Sequence, residues 1–488
     1  MVDPIRRVAE AAAPAGGLPA SATAPPPGPG KALAGPGRSV VWKLCLVGAA
    51  LAVLYALNFG AIRAVTGPDG RALFRYYPLF FGILFALYLV GVYLSWNGGR
   101  RVALALIVSG MAFRLVMLPT DVVLSSDLYR YLWDGRVQVA GVNPFRYAPQ
   151  DEALAFLRDA EIHPSINRPA ERTIYPPGSQ VIFAVLAWLA PNRIGGLRLL
   201  LIACDLATML LLLRLFRRLG LPEGRVAVYA WAPLPIFEFA QAAHMDATFI
   251  PLVLGAVLAR LGGRPALAGS LLGGAALIKL YPAILLPALW QPRARRLPVA
   301  FLGTVALGYL PYAWGVGEKV TGFLPEYFGR PDEDFNIGLR YFLTEGIGLD
   351  GHAARTVAMV LLALALTLAL VFIGRRRPDT PLGIAGAAGL SVGTYILLVP
   401  TSMQPWYVAW LVPFLVLVPG ASWWYVTGAI TLSYLKYGME PEVLPLWARA
   451  LEWLLAYVLV LRDLGNHAAR RPRAPAAGVR LGAPPSSR

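Results

Sequence analysis

The stretch "RTVAMVLLALALTLALVFIGRRR", from Arg355 to Arg377, decides the fold class. It carries no charge between Arg355 and Arg375, and it is long enough to cross the hydrocarbon core of a bilayer as a helix. Three arginines end it, which is typical of the cytoplasmic border of a membrane span. The stretch therefore predicts a transmembrane helix.

The rest of the chain repeats this pattern. Of its 488 residues, 57% are hydrophobic and 15% are charged, whereas a soluble domain is about one quarter charged. The runs are continuously apolar and lack the alternation of a barrel strand. We predict an all-α polytopic membrane protein with roughly 12–14 transmembrane helices. The expected spans are 40–61, 78–96, 102–118, 197–216, 226–240, 247–261, 267–279, 282–290, 298–314, 353–373, 383–400, 406–420, 421–436 and 447–463.

The formal net charge of +17 is spread over short connectors and the two tails. This distribution indicates the positive-inside signal of a membrane protein, so we expect no nucleic-acid partner. The two cysteines both fall in apolar runs and predict no disulfide or zinc framework. The basic connectors are 100–101, 214–225, 260–264, 293–296 and 375–377.

Placing all basic connectors in the cytoplasm requires two unusual segments. The run 178–191 is short for a span, and we expect it to lie along the outer membrane surface without crossing. The stretch 267–290 should form two short helices that meet at residues 279–282, because Pro282 and a lysine favour a break there. Both termini are then cytoplasmic, and the polar clusters gather on the opposite side of the membrane.

The predicted organisation has three parts. Residues 1–39, rich in Ala, Pro and Gly, predict a disordered cytoplasmic tail, and residues 466–488 predict a flexible basic cytoplasmic tail. Residues 40–465 form one transmembrane domain between them. It contains a first long loop (119–196) and a second long loop (315–352), both expected on the non-cytoplasmic side.

The first long loop contains "SSDLYRYLWDGRVQVAGVNPF" (125–145), a polar and aromatic stretch in an otherwise apolar chain. Ser125 or Ser126 is expected to cap a helix whose first turn contains Asp127. Residues at i, i+3 or i+4, and i+7 of such a helix share one face. The residues on that face are Asp127, Arg130 or Tyr131, and Asp134.

This face suits sugar chemistry. The Asp127 carboxylate is a candidate general base toward a hydroxyl, and Tyr131 and Trp133 are candidates to stack on the apolar face of a sugar. The alternative is a capped surface helix with an Asp127–Arg130 ion pair of little energetic value. Spacing alone leaves both interpretations open.

Two further polar groups lie at the ends of predicted spans. His244 and Asp246 stand close together, and either bind a substrate or form structural hydrogen bonds; no set of metal ligands has a convincing spacing. Lys279 ends a short apolar helix, where it holds a lipid phosphate or merely extends to the membrane interface. Arg340 is a second candidate partner for a phosphate.

Three acidic features remain. Glu238 lies inside an apolar segment, where an acid is costly and therefore indicates function. Asp205 is similar, with pairing to a neighbouring helix as the alternative. We expect the acidic run "PDEDF" (331–335) to be a solvated loop face rather than a metal site.

Taken in order, these motifs resemble those of the GT-C superfamily of membrane glycosyltransferases, in particular the bacterial polyprenol-phosphate-mannose-dependent mannosyltransferases. The similarity extends over most of the chain between its tails. Many relatives have Gly-His-Asn-Asp where this chain has Ala-His-Met-Asp (243–246), so Asp246 is the better supported residue there. The motifs are Asp-x-x-Arg-Tyr (127–131), Tyr-Pro-Pro (175–177), His-x-Asp (244–246), Lys-x-Tyr-Pro (279–282) and Pro-Trp-Tyr (405–407).

The resemblance implies a GT-C-like bundle with juxtamembrane helices in a catalytic first long loop. It implies inverting transfer of a sugar, mannose in those relatives, from a polyprenyl-phosphate donor to a hydroxyl of a glycan or glycolipid acceptor, at a bacterial plasma (inner) membrane. Asp127 maps onto the catalytic aspartate. With the residue arguments above, the substrate-binding candidates are Arg130, Tyr131, Trp133, Asp134, Tyr175, His244, Asp246, Lys279, Tyr281, Arg340 and Trp406.

No cofactor is expected, since the lipid-phosphate sugar is a substrate, and a role for a divalent metal is left open. The partners are membrane lipid, the donor and the acceptor. A transporter or flippase of a lipid-linked sugar is the main alternative, because broken helices with a lysine at the break also occur in transporters. A scaffold with a lipid-binding groove is the other alternative.

Overall fold

The structure is a computed structural model that describes residues 38–469 except 68, 293 and 350. The predicted tail 1–39 therefore lies outside the described residues, apart from its last two, which belong to the first helix. The predicted tail 466–488 lies outside them from residue 470 onward, and its first four residues continue the last helix. Across the described residues the regular structure is helical with no strand, which confirms the all-α class.

Proline sets the start of several helices, because it fits the first helical turn without losing a hydrogen bond. Three of the helices below begin at a proline in this way. The longer α-helices, numbered along the chain, are α1 Arg38–Thr66, α2 Gly70–Ser95, α3 Arg100–Leu115, α4 Asp127–Val139, α5 Pro177–Leu189, α6 Ile194–Arg218, α7 Ile250–Leu261, α8 Pro265–Ile278, α9 Arg296–Ala313, α10 His352–Arg376, α11 Pro381–Leu398, α12 Ala421–Ala429 and α13 Leu455–Ala469.

Shorter helical segments connect these helices. Between the two long loops they are Glu223–Val226, Ala227–Ala230, Pro233–Pro235, Ile236–Gln241, Met245–Thr248, Tyr281–Leu285 and Leu286–Leu289. Within the loops and the C-terminal part they are Glu152–Leu157, His163–Ser165, Gly317–Thr321, Leu324–Gly329, Pro331–Glu333, Gly338–Leu343, Glu345–Ile347, Pro405–Val408, Ala409–Phe414, Ile430–Gly438, Leu446–Arg449 and Ala450–Leu454.

Five helices are long and apolar enough to cross a membrane by themselves: α1, α2, α6, α10 and α11. A sixth candidate span is the pair Pro233–Gln241 and Met245–Leu261, whose halves meet at an angle of 106°. The other predicted spans coincide with shorter, less apolar or interrupted helices. The chain is therefore a polytopic helical membrane protein with many broken elements around its long helices.

The basic connectors contact one another at one end of the bundle. The backbone N–H of Gly224 donates to the carbonyl of Gly98 at 2.7 Å, which joins the first two connectors. The Arg260 Nε donates to the carbonyl of Leu289 at 2.8 Å, bringing the next two together. The Arg218 guanidinium also donates to the Leu261 carbonyl at 2.5 Å, so these connectors lie near one another.

A buried ion pair fixes α3 against α6. The Arg114 Nε donates to Asp205 Oδ2 at 2.5 Å, and both side chains are fully buried. The Tyr229 hydroxyl donates to the other oxygen of Asp205 at 2.5 Å, and Arg114 donates to the Ala230 carbonyl at 2.8 Å. The paired alternative for Asp205 is therefore the observed one, and this acid has a structural role.

The predicted break in the stretch 267–290 is present. Helix α8 ends at Ile278, and Lys279 adopts an extended backbone with φ −138° and ψ 140°. Pro282 follows in the next helical turn, where its ring prevents continuation of α8. Lys279 thus projects from a helix end rather than from a helix face.

Two glycines allow α5 to approach its neighbours. A Cβ atom on Gly135 of α4 would lie 2.3 Å from the Phe183 carbonyl oxygen, and one on Gly178 would lie 2.8 Å from the Leu277 carbonyl oxygen. The Ser179 hydroxyl also donates to the Ile278 carbonyl at 2.6 Å. Helix α5, the apolar run predicted not to cross, therefore connects α4 directly with the residue before Lys279.

The first long loop has its own internal support. Arg136 of α4 donates to Asp159 at 2.5 Å. Burial raises the pKa of Asp159, but the hydrogen bonds from Arg136 and from the backbone N–H groups of His163 and Ile162 outweigh it and lower the pKa to about 2. Asp159 is thus a carboxylate at neutral pH that fastens the loop to α4.

The two long loops contact each other. The Phe323 backbone N–H donates to the Thr173 carbonyl at 3.3 Å. Two ion pairs also join the loops. In one, Arg168 of the first loop pairs with Glu333 of the second, and in the other, Glu171 of the first loop pairs with Arg330 of the second. Residues far apart in sequence are thereby brought to the rim of one cavity.

Candidate active site

The two long loops and the break at Lys279 enclose a cavity of about 810 Å³. It also receives residues from the end of α11, from the segment 400–407 and from the segment 434–437. Six of the predicted site residues line it. They are Asp127, Arg130, Tyr175, Lys279, Tyr281 and Trp406.

Asp127 is the first residue of α4, as the sequence predicts. Its backbone N–H donates to the Ser125 hydroxyl at 3.0 Å, so Ser125 rather than Ser126 provides the side-chain contact at the helix start. A carboxylate in the first turn also interacts favourably with the helix dipole. The Asn167 amide donates to Asp127 Oδ1 at 2.6 Å, and the carboxylate faces the cavity.

The polar face of α4 is present, but the Asp127–Arg130 ion pair that the sequence left as an alternative does not form. The Arg130 Nε donates to Asp134 Oδ1 at 2.8 Å, so the partner of Arg130 is Asp134 and not Asp127. The Gln180 amide of α5 donates to Asp134 Oδ2 at 3.1 Å. Asp134 is buried behind Arg130 and does not line the cavity, whereas Asp127 remains available to it.

The aromatic residues of α4 are buried away from the cavity. The Tyr131 ring lies 4.9 Å from the Phe183 ring in a stacked arrangement and 5.0 Å from the Tyr175 ring in an edge-on arrangement. Trp133 packs against His163, with ring centroids 5.2 Å apart. In this structure Tyr131 and Trp133 therefore support the helix, and Tyr175 is the aromatic residue of this group that lines the cavity.

Tyr175 lies between the two charged parts of the cavity. Burial raises the pKa of its phenol well above the usual value, and the negative charge of Asp127 adds to this effect. The phenol therefore stays protonated at neutral pH. The Lys279 Nζ lies 5.4 Å from the centroid of the Tyr175 ring and 5.2 Å from that of Tyr407, within the range of a cation–π contact.

Lys279 is held next to Asp246. Its Nζ lies 3.5 Å from Asp246 Oδ2, and the hydroxyl of Tyr281 donates to Asp246 Oδ1. Asp246 is fully buried, whereas the Lys279 side chain is 12% exposed and lines the cavity. The buried acid therefore anchors the lysine, and the lysine supplies the positive charge at the cavity wall.

His244 lies behind this cluster. Its ring stacks on Trp406 with centroids 3.7 Å apart, and its Nδ1 lies 3.1 Å from the Glu238 carboxylate. Glu238 also accepts from the Tyr434 hydroxyl at 3.1 Å. Trp406 and Tyr434 line the cavity. Glu238 therefore supports two cavity residues, Tyr434 directly and Trp406 through His244.

The Ala-His-Met-Asp departure has a backbone consequence. Ala243 adopts a positive φ of 61°, in the left-handed region that favours glycine. The chain therefore forms this turn with an alanine in a conformation that favours glycine. The turn brings His244 and Asp246 to the same site.

Arg340 does not line the cavity. It is fully buried and forms an ion pair with Asp334, which also accepts from Arg355 at 3.0 Å. Glu333 and Asp334 line the cavity, and Glu333 is only 8% exposed. The expectation of a solvated face was therefore wrong for these two acids, because arginines outside the run pair with them.

Sequence reasoning missed Asn167, Arg168 and Glu333. Asn167 contacts Asp127, and Arg168 pairs with Glu333 at the rim. Asn167 and Arg168 lie in the first long loop and Glu333 in the second, and no sequence spacing relates any of them to its partner. Within the described residues, no group of three or more His, Cys, Asp or Glu side chains is placed to hold a metal ion.

The comparison with protein families gives one match. Residues 173–401, just under half of the chain, match the model of glycosyltransferase family 87. The matched segment includes Tyr175, Lys279 and most of the cavity wall, whereas Asp127 precedes it and Trp406 follows it. No curated protein matches the chain. The family match supports a membrane glycosyltransferase.

Proposed function

We propose that this membrane glycosyltransferase moves a hexose from a polyprenyl-phosphate donor to a hydroxyl of a glycan or glycolipid. The observation that carries the proposal is that Asp127 and Lys279 face one cavity. One supplies a carboxylate and the other a cation, which are the two charges that such a transfer needs. We propose mannose as this hexose, on the motif resemblance alone.

Asp127 is the proposed general base. It removes the proton of the acceptor hydroxyl while the hydroxyl oxygen attacks the anomeric carbon of the donor. The bond from that carbon to the phosphate oxygen breaks, and the polyprenyl phosphate leaves with the bonding electrons. A carboxylate one hydrogen bond away from the attacking oxygen is sufficient, because phosphate is a good leaving group.

Lys279 is the proposed partner of the departing phosphate. Its ammonium group is fixed by Asp246 and flanked by the rings of Tyr175 and Tyr407, so little reorganisation is needed as charge develops. Arg340 is less suited to this role than the sequence implied, because it is buried against Asp334.

The apolar part of the cavity supports a lipid-linked donor. Beyond Lys279 the wall is formed by Leu280, Ile284, Leu366 and Val399. Leu366 belongs to α10, one of the helices long enough to cross a membrane. A polyprenyl chain attached to a phosphate at Lys279 would therefore leave the cavity along apolar side chains.

We further propose that the cavity faces away from the cytoplasm of a bacterial plasma membrane, with both termini in the cytoplasm. The support is the clustering of the basic connectors, which would be cytoplasmic by the positive-inside rule. The cavity residues come from the segments predicted on the other side of the spans.

The test is transfer by the purified, reconstituted chain. A series of polyprenyl-phosphate sugars and, in parallel, nucleotide sugars is supplied with membrane glycolipid acceptors, and products are identified by mass. We expect a new glycosidic product with a lipid-phosphate donor and none with Asp127→Asn. Transfer from nucleotide sugars only would refute the donor class, and near-normal transfer by Asp127→Asn would refute the base.

A flippase for lipid-linked sugars is the second candidate, because the bent pair Pro233–Gln241 and Met245–Leu261 resembles the interrupted helices of transporters. The same vesicles distinguish the two. Movement of a labelled lipid-linked sugar across the bilayer without a new glycosidic bond would favour the flippase.

A further inference from the structure

We infer that Asn167 is a positioning residue for Asp127, an inference that rests on the proposed function. The Asn167 Nδ2 donates to Asp127 Oδ1 at 2.6 Å, and both residues line the cavity. A carboxylate has lone pairs on two oxygens, so a donor on Oδ1 fixes the plane of the group and leaves Oδ2 for the acceptor hydroxyl.

The backbone around Asn167 is held by the same helix that carries Asp127. The Arg130 Nη1 donates to the Glu171 carbonyl at 3.0 Å and to the Arg168 carbonyl at 3.4 Å. Arg130 is in turn fixed by Asp134. The base and the segment that bears its hydrogen-bond donor are thus tied to one rigid element.

The second long loop holds the same segment from the outside. Arg168 pairs with Glu333, which is buried, and Glu171 pairs with Arg330 at 2.8 Å. Because Asn167 precedes Arg168 directly, this clamp limits the movement of the Asn167 amide. Arg130 and Asp134 therefore also serve the base through the loop backbone.

The Asn167 side chain acts here as a hydrogen-bond donor, because its N–H group contacts an oxygen of the Asp127 carboxylate. An aspartate at position 167 would have the same shape but would accept rather than donate. At neutral pH two carboxylates would then stand 2.6 Å apart, with the repulsion relieved only when a proton is shared between them.

The experiment compares wild type, Asn167→Ala, Asn167→Asp and the control Asn192→Asp in the lipid-donor transfer assay. Asn192 is exposed in the same loop and accepts a hydrogen bond through Oδ1, which an aspartate retains. We expect Asn167→Ala to lower kcat roughly 10- to 100-fold, with the donor KM changed less than about threefold. The control should match wild type.

Asn167→Asp is the decisive variant. At neutral pH it should be at least as slow as Asn167→Ala, and its rate relative to wild type should rise as the pH falls. A packing role predicts the opposite, with Asp close to wild type and Ala slow, and that result would overturn the inference. Wild-type kcat in Asn167→Ala would overturn it too.

A second measurement does not depend on turnover. Carbodiimide labels protonated carboxyl groups, and labelling of Asp127 is followed by peptide mass spectrometry across pH. Without the amide donor, Asp127 should be labelled faster in Asn167→Ala than in wild type under the same conditions; unchanged labelling curves in both variants would overturn the contact. The other charged or titratable groups near Asp127, retained in each variant, are Arg168, Tyr131, Tyr175, Tyr437 and Asp246.

The outcomes separate this inference from the proposed function. If wild type transfers no sugar from any lipid donor, the proposed function fails, and the labelling curves still decide whether Asn167 acts on Asp127. If wild type transfers sugar and Asp127→Asn does not, but Asn167→Ala is unaffected, only the inference fails.

Discussion

Replacement of Lys279 by methionine tests whether its charge contributes to the stability of the fold, to the rate of sugar transfer or to both. Methionine keeps an unbranched apolar side chain, one atom shorter, and removes the ammonium group. In the wild type that group lies 3.5 Å from the fully buried Asp246 and also lines the cavity. The substitution should therefore affect both the stability of the fold and the rate of transfer.

The structure gives the size of each effect. At 3.5 Å and an effective dielectric constant of about 20, the attraction between the two charges is about 5 kcal/mol. Since the Tyr281 hydroxyl continues to donate to Asp246, we expect a loss of about 3 kcal/mol in the free energy of unfolding, the low end for a broken buried pair. Loss of charge stabilisation in the transition state should lower kcat roughly 10²- to 10³-fold.

Two controls distinguish these effects. Lys279→Arg keeps the charge and should retain most of the stability. The double variant Lys279→Met with Asp246→Asn removes both charges, so its thermal unfolding in detergent should return toward wild type while transfer stays low. Wild-type transfer by Lys279→Met, or recovery of transfer in the double variant, would refute the assignment of Lys279 to the phosphate.

Three further predictions concern stability and the loops. Asp205→Ala should lower the free energy of unfolding by about 3–5 kcal/mol because it strands the buried Arg114, and Asp205→Ala with Arg114→Met should recover much of the loss; both are measured by thermal unfolding in detergent. Asp159→Asn should cost roughly 1 kcal/mol at pH 7 after solvent screening. The cost should shrink as the pH falls from about 4 toward 2, because a lowered pKa stabilises the fold only while the group is ionised. Arg168→Glu should slow transfer severalfold, and the charge swap with Glu333→Arg should restore part of it.

Each of these has a contradicting result. An Asp205→Ala protein as stable as wild type would mean that the buried pair contributes nothing. A pH-independent loss in Asp159→Asn would mean that ionisation is not the cause. Equal rates in the single and swapped variants of Arg168 would mean that the contact between the loops does not affect transfer.

Features that depend only on residues close together in the sequence could be predicted from it. Apolar runs that end in arginines indicate membrane helices whatever surrounds them, because the bilayer imposes their length and charge borders. The break at Lys279 follows from Pro282, which cannot continue a helix. The start of α4 at Asp127 follows from the serines that precede it.

Which residues face the cavity was decided by the tertiary structure. The sequence places Asp127 and Asp134 on one helix face, yet Gly135 allows α5 to pack so closely that Asp134 is covered and Asp127 is not. Nothing in the run 331–335 indicates that Glu333 turns inward, because its partner Arg168 lies in the other long loop.

The sequence by itself determined the class of this protein and the residue types available for sugar transfer. The tertiary structure alone decided that Lys279 rests on Asp246, that Asn167 contacts Asp127 and that Arg340 is turned away from the cavity. The physical reason is the distance along the chain over which each effect acts. Hydrophobicity and helix-ending residues act within one element, whereas a hydrogen bond or ion pair between loops forms only after the bundle has brought them within about 3–4 Å.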